Sequence, residues 1–80
     1  MREELFKIIK KYAEFNHDFE GEVSGDTKLR DLGIDSLGWQ ELLMIMEDKF
    51  EKEIFIDSID FENTKTLDDL YHQLEKIINP

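Results

Sequence analysis

Apolar residues recur every three or four positions in three separate runs of this chain, and Val, Ile and Thr nowhere alternate with polar residues over a strand's length. That period belongs to amphipathic helices; a half-buried strand needs a period of two. The first run places Leu5, Ile8, Ile9, Tyr12 and Phe15 on one side, with Lys7, Lys10, Lys11 and Glu14 elsewhere. The second places Trp39, Leu42, Leu43, Met46 and Phe50 at i, i+3, i+4, i+7 and i+11. In the third, Leu67, Leu70, Tyr71, Leu74, Ile77 and Ile78 supply a core face. Thr66 opens this helix, with Asp69 three residues on in the capping-box position. The expected fold is all-α, a small bundle of three main helices.

Residues 16–26 are polar, contain Gly21 and Gly25 and have no helical period, which predicts a long loop between the first two helices. Residues 27–33 predict one short turn, with Thr27 as its cap, Gly33 as its terminator, and Leu29, Leu32 and Ile34 pinning the loop to the core. Ser36 is the expected N-cap of the second helix. Residues 57–61 are too few for a long helix and predict a brief fourth one. Eighty residues suffice for one domain, spanning 1–80.

Composition removes several classes of function. Ten Lys and Arg face twenty Asp and Glu, a formal charge of -10. Phosphate backbones are held by clustered Lys and Arg, so nucleic acid is not an expected partner. No cysteine is present, so packing alone must hold the fold, which suits a reducing compartment. The longest apolar run, residues 42–46, is far short of a membrane span, and the charged start Met1-Arg2-Glu3-Glu4 lacks the apolar stretch of a secretion signal. A cytoplasmic monomer is expected. The acids are concentrated: ten lie between Asp31 and Glu62, against only Lys49 and Lys52. Such a field attracts basic partners, although a solvated acidic surface that maintains solubility has the same composition.

Catalysis is not expected. His17 and His72 sit in no motif that orients a base against a nucleophile, and two isolated histidines suggest no metal site. Asn16, Asp18, Glu20 and Gly21 fit positions 1, 3, 5 and 6 of a calcium-loop register. Position 12 is then Thr27, where that geometry needs a bidentate Glu.

The stretch Asp31-Leu32-Gly33-Ile34-Asp35-Ser36-Leu37 ends a loop, turns at a glycine and presents a serine at a helix N-terminus. Free N–H groups and the helix dipole make that end favourable for a phosphate. Plain N-capping by the serine is the alternative. Here the sequence resembles the acyl carrier protein family, with its peptidyl and aminoacyl relatives. The resemblance rests on Leu32-Gly33-Ile34-Asp35-Ser36-Leu37, then on Glu41-Leu42, Glu47-Asp48-Lys49-Phe50 and Glu53-Ile54. It covers nearly the whole chain, including its length, central serine, acidity and helix order.

The resemblance implies that Ser36 is the attachment point for 4'-phosphopantetheine, donated from coenzyme A by a phosphopantetheinyl transferase, with Asp35 guiding that enzyme and its metal ion. Cargo rides on the arm's thiol as a thioester, a thiol that a cysteine-free chain cannot supply itself. Independently, if the stripe of the second helix points inward, Leu37, Glu41, Met44 and Asp48 fall on an exposed stripe with Glu47 beside it. Apolar contacts flanked by acids suit enzymes with basic docking patches, which the resemblance implies are acyl-loading and acyl-processing enzymes. With Ile54 at the helix exit, these residues form the expected partner face; a solvated helix face with two stray apolar residues is the alternative.

Three positions depart from the fatty-acid-type pattern: Gly38 and Gln40 replace a customary acid and apolar contact, and Trp39 replaces a smaller inward residue. Gly38 is expected to loosen the helix start or clear space for a partner. Trp39 is expected to fill volume that would otherwise shelter an acyl chain. These point to a specialised carrier; an aminoacyl, D-alanyl or peptidyl carrier and an unmodified acidic adaptor remain as alternatives.

Overall fold

The computed structural model describes all 80 residues. Helix α1 (Arg2–His17) is followed by a long loop that closes in a 3-10 turn, Leu29–Leu32. Helix α2 (Ser36–Phe50) then leads through two further 3-10 turns, Ile56–Ser58 and Phe61–Asn63, to α3 (Leu67–Ile78). The fold is all-α, as the three apolar stripes require. No helix is long and apolar enough to cross a membrane.

The brief fourth helix expected over residues 57–61 is two separate 3-10 turns. Asp60, between them, has non-helical backbone angles (φ -85°, ψ 77°), and its N–H is held by the Gln73 side chain at 2.8 Å. Five residues cannot offset the cost of starting an α-helix once one of them is tied elsewhere.

Seventeen buried apolar residues form one core. The helices contribute Leu5, Phe6, Ile9, Tyr12 and Ala13, then Trp39, Leu42, Leu43 and Met46, then Leu67, Leu70, Leu74 and Ile78. Leu29, Leu32, Ile54 and Ile59 close it from the connections. The largest departure from the expected stripes is in α1, where Phe15 is 83% exposed while Phe6 and Ala13 are buried. At 100° per residue, Phe15 lies ~80° from the line through Leu5, on the opposite flank from Phe6 and Ala13. Ile8, Phe50, Tyr71 and Ile77 are half-buried along the edges.

α1 runs past the expected loop start and includes Asn16 and His17. It ends where Asp18 turns into the left-handed region (φ 52°) and donates its N–H to Ala13 O. Thr27 does not cap the following turn; its hydroxyl accepts from Ser24 N at 2.8 Å, and the turn starts at Lys28 without a side-chain cap. Gly33 ends that turn as expected, at φ 73°. α3 carries the full capping box, with Thr66 Oγ1 accepting from Asp69 N and Asp69 Oδ2 accepting from Thr66 N.

α1 and α2 run antiparallel. Lys49 near the end of α2 meets Glu4 near the start of α1 at 3.5 Å, and His17 at the end of α1 packs on Gly38 near the start of α2. A backbone link joins the long loop to the start of α3: Lys28 and Thr66 form an isolated antiparallel bridge, Leu29 N donates to Lys65 O, and Leu67 N donates to Thr27 O. This clasp brings residues nearly forty positions apart in the chain beside the start of α2.

Candidate functional site

Asp35, not Ser36, caps α2. Its backbone is extended (φ -86°, ψ -177°), its Oδ1 accepts from Gly38 N at 2.8 Å, and its carbonyl accepts from Trp39 N at 2.9 Å. Both residue types make good caps, and the turn from Gly33 decides between them by setting which residue stays extended. Ser36 is therefore the first residue of α2. It is exposed, and its hydroxyl is not committed to capping the helix. The unpaired N–H groups of the first turn and the helix dipole favour negative charge there.

Gly38 is held in place by close packing. A Cβ at this position would stand 2.7 Å from Ile34 Cγ2, 3.1 Å from Asp35 Oδ1 and 3.2 Å from His17 Nε2. The residue expected to loosen the helix start instead lets α1 and the preceding loop press against it. His17 Nε2 is buried in this contact without a hydrogen-bond partner. Across the same end, Tyr12 is held above its usual pKa, first by burial and then by the negative charges of Glu41 and Asp35.

An open cleft of ≈510 Å³ lies against Ser36. Ile34, Trp39, Ile56 and Phe61 supply its apolar lining, with Arg30 and Thr64 also on its wall. Trp39 is buried and meets Phe61 at 5.7 Å between ring centroids, tilted by 45°. The indole thus fills the core side of the cleft, as its size predicts.

On the outer face of α2, Leu37 is 74% exposed and Met44 65%, with Glu41 and Asp48 exposed beside them. Glu47 is half-buried, and its Oε2 accepts from Ile54 N at 2.7 Å, which ties down the helix exit. Ile54 corrects the expected face: it is 4% exposed and belongs to the core. Its neighbour Phe55 is exposed instead, as is Ile45 on α2. Apolar type alone cannot tell which of Ile54 and Phe55 turns inward; in the fold it is Ile54, whose N–H Glu47 holds. Glu47, Asp48, Glu51 and Glu53 converge with Met44 and Lys52 around a strongly acidic depression.

The calcium register comes apart in the fold. Asn16 donates to Tyr12 O and Asp18 ends α1, while no three His, Asp or Glu side chains gather as a metal-ligand set.

An exposed primary hydroxyl at the start of a fifteen-residue helix, with an open cleft alongside, fits a phosphodiester-linked arm. Comparison with known families agrees with that geometry: residues 8–74 match the family described as the phosphopantetheine attachment site. The chain belongs to this family of carrier domains, whose prosthetic group is 4'-phosphopantetheine, covalently attached. Such carriers work with a phosphopantetheinyl transferase and with partner enzymes. Comparison with curated proteins finds no match.

Proposed function

We propose that this chain is an acyl carrier protein modified on Ser36 Oγ, serving fatty-acid-like or specialised lipid or secondary-metabolite biosynthesis in the cytoplasm. The observation that carries the reading is an exposed Ser36 hydroxyl at the first position of α2, left free because Asp35 takes the cap. In the transfer, Ser36 Oγ forms a bond to phosphorus as the pyrophosphate link of coenzyme A breaks. The nucleotide bisphosphate leaves, and the hydroxyl proton passes to the transferase. Ser36 needs no activation of its own, because the chemistry belongs to the visiting enzyme. The arm supplies a thiol on which cargo is held as a thioester.

Asp35 has two tasks in this reading. It fixes the start of α2 through Oδ1, and it offers a carboxylate next to the reacting hydroxyl for the transferase and its metal ion. Leu37, Met44, Glu41, Glu47 and Asp48 receive partner enzymes that carry basic rims; charge steers the encounter and the apolar contacts hold the complex. The chain is a carrier and not a catalyst, and works as a monomer.

Trp39 supports a specialised cargo. With the indole packed on Phe61, the space beside Ser36 is an open cleft and not an enclosed cavity, which leaves a long acyl chain without shelter in the core. The test is to incubate the protein with coenzyme A and a broad-specificity phosphopantetheinyl transferase, then measure its intact mass. Addition of one phosphopantetheine to the wild type and none to Ser36→Ala is expected. No addition, under conditions that load a known carrier, would favour an unmodified acidic adaptor.

A further inference from the structure

We propose that the depression adjoining the cleft beside Ser36 is a site for the anionic end of an arm-borne cargo, an acyl group that terminates in a carboxylate. The inference rests on the carrier reading and deepens it by naming the cargo class and the residues that select it.

The cleft beside Ser36 does not stop at Phe61. A second depression, lined by Lys28, Glu62 and Lys65, adjoins it and shares Leu29, Arg30, Phe61 and Thr64 with it. Lys28 and Lys65 lie at its far end and Arg30 on the wall it shares with the cleft, against one lining acid, Glu62. In a chain of charge -10 this is a local reversal of sign.

The reversal is built by the fold. The bridge pairs Lys28 with Thr66, and the Leu29 N to Lys65 O bond of 3.0 Å pairs the next two residues, so Lys28 and Lys65 both come to line the same depression. Leu29 turns into the core between Lys28 and Arg30, which both remain exposed. None of the four ion pairs in the structure involves Lys28 or Lys65, and Arg30 meets Asp31 only at 4.0 Å.

Exposed ion pairs are individually weak, typically under ~1 kcal/mol, and such a patch would hold a free carboxylate poorly. A cargo on a tether is different, because a short flexible link presents it at an effective concentration on the order of millimolar. The walls between Ser36 and the cations are apolar and aromatic, which suits the arm and the methylene part of a diacid half-thioester folded back along them. A neutral acyl group of equal length gains nothing at the cationic end, and an aminoacyl group is repelled there.

The experiment loads the protein enzymatically from succinyl-coenzyme A and, separately, from butyryl-coenzyme A, whose acyl groups have the same number of carbons. Amide and side-chain NMR shifts are then compared at Lys28, Arg30, Lys65 and Trp39. The succinyl form is expected to move the three cationic residues beyond the butyryl form. That difference should be lost in moderate salt and in Lys28→Gln/Arg30→Gln/Lys65→Gln, and reduced in Arg30→Gln alone. Because the phosphodiester is present in both loaded forms, the difference reports the carboxylate. Identical shifts in the two forms, or a difference that survives both salt and the triple substitution, overturn the inference while leaving the carrier reading intact. Failure of both derivatives and of coenzyme A itself to add mass, under conditions that load a known carrier, overturns the carrier reading itself.

Discussion

The two sides of Ser36 carry opposite charge. Outward along α2, Leu37 and Met44 stand among Glu41, Glu47 and Asp48; in the other direction, the cleft with Trp39 and Phe61 adjoins a depression lined by Lys28, Arg30 and Lys65. The first surface is drawn from one helix. The second is assembled from two segments that only the clasp between the long loop and α3 brings together. In the proposed reading, α2 advertises to enzymes on one side of the attachment point while cargo is read on the other, with Asp35 and Gly38 fixing the boundary.

The strongest way to break this arrangement is at that boundary. Gly38→Ala puts a methyl group into Ile34 and beside His17 Nε2 and is expected to cost about 1–3 kcal/mol, as overpacking does. Chemical denaturation measures the loss, and loading by the transferase should slow because the start of α2 must shift. Next in size, Met44→Glu should leave the melting temperature nearly unchanged, since exposed substitutions usually stay within ~0.5 kcal/mol. Its effect should appear as a several-fold rise in the KM of a partner enzyme for the loaded carrier, with loading from coenzyme A intact.

The clasp is sharpened by Thr66→Ala, which removes the acceptor for Asp69 N and should cost about 1 kcal/mol. Asp69 gives the same region an acid limit. Backbone N–H groups of Thr66 and Lys65 hold its carboxyl below the usual range, so the folded state binds that proton less readily than the unfolded chain. This contribution is complete above the ordinary carboxylate range and is lost as pH falls through the depressed value. Melting temperature against pH should show that acid limb in the wild type and a flatter one in Asp69→Asn. Smallest is the effect of salt: moderate ionic strength should raise the melting temperature by screening the acids between Asp31 and Glu62. A melting temperature insensitive to salt would remove self-repulsion from the account.

The helices were legible because burial repeats at the helical period, and the third stripe with its Thr66–Asp69 box left little choice. Phe15 was not, because Phe15 and Phe6 flank the stripe on opposite sides and only the packed partner decides which is covered. Ser36 was legible at the start of α2 but as its cap, since Asp35 and Ser36 compete for one cap and the Gly33 turn gives it to Asp35. The Gly38 contact with His17 and the pairing of Lys28 with Thr66 depend on long-range approach, which no local period encodes.

The central claim is that Ser36 anchors the arm. Its most direct test is fragment mass spectrometry of the protein after exposure to coenzyme A and the transferase. The account predicts that the phosphopantetheine mass falls on the peptide containing Ser36 and on that residue alone. The same mass found on Ser24 or Ser58, or retained after Ser36→Ala, would contradict it.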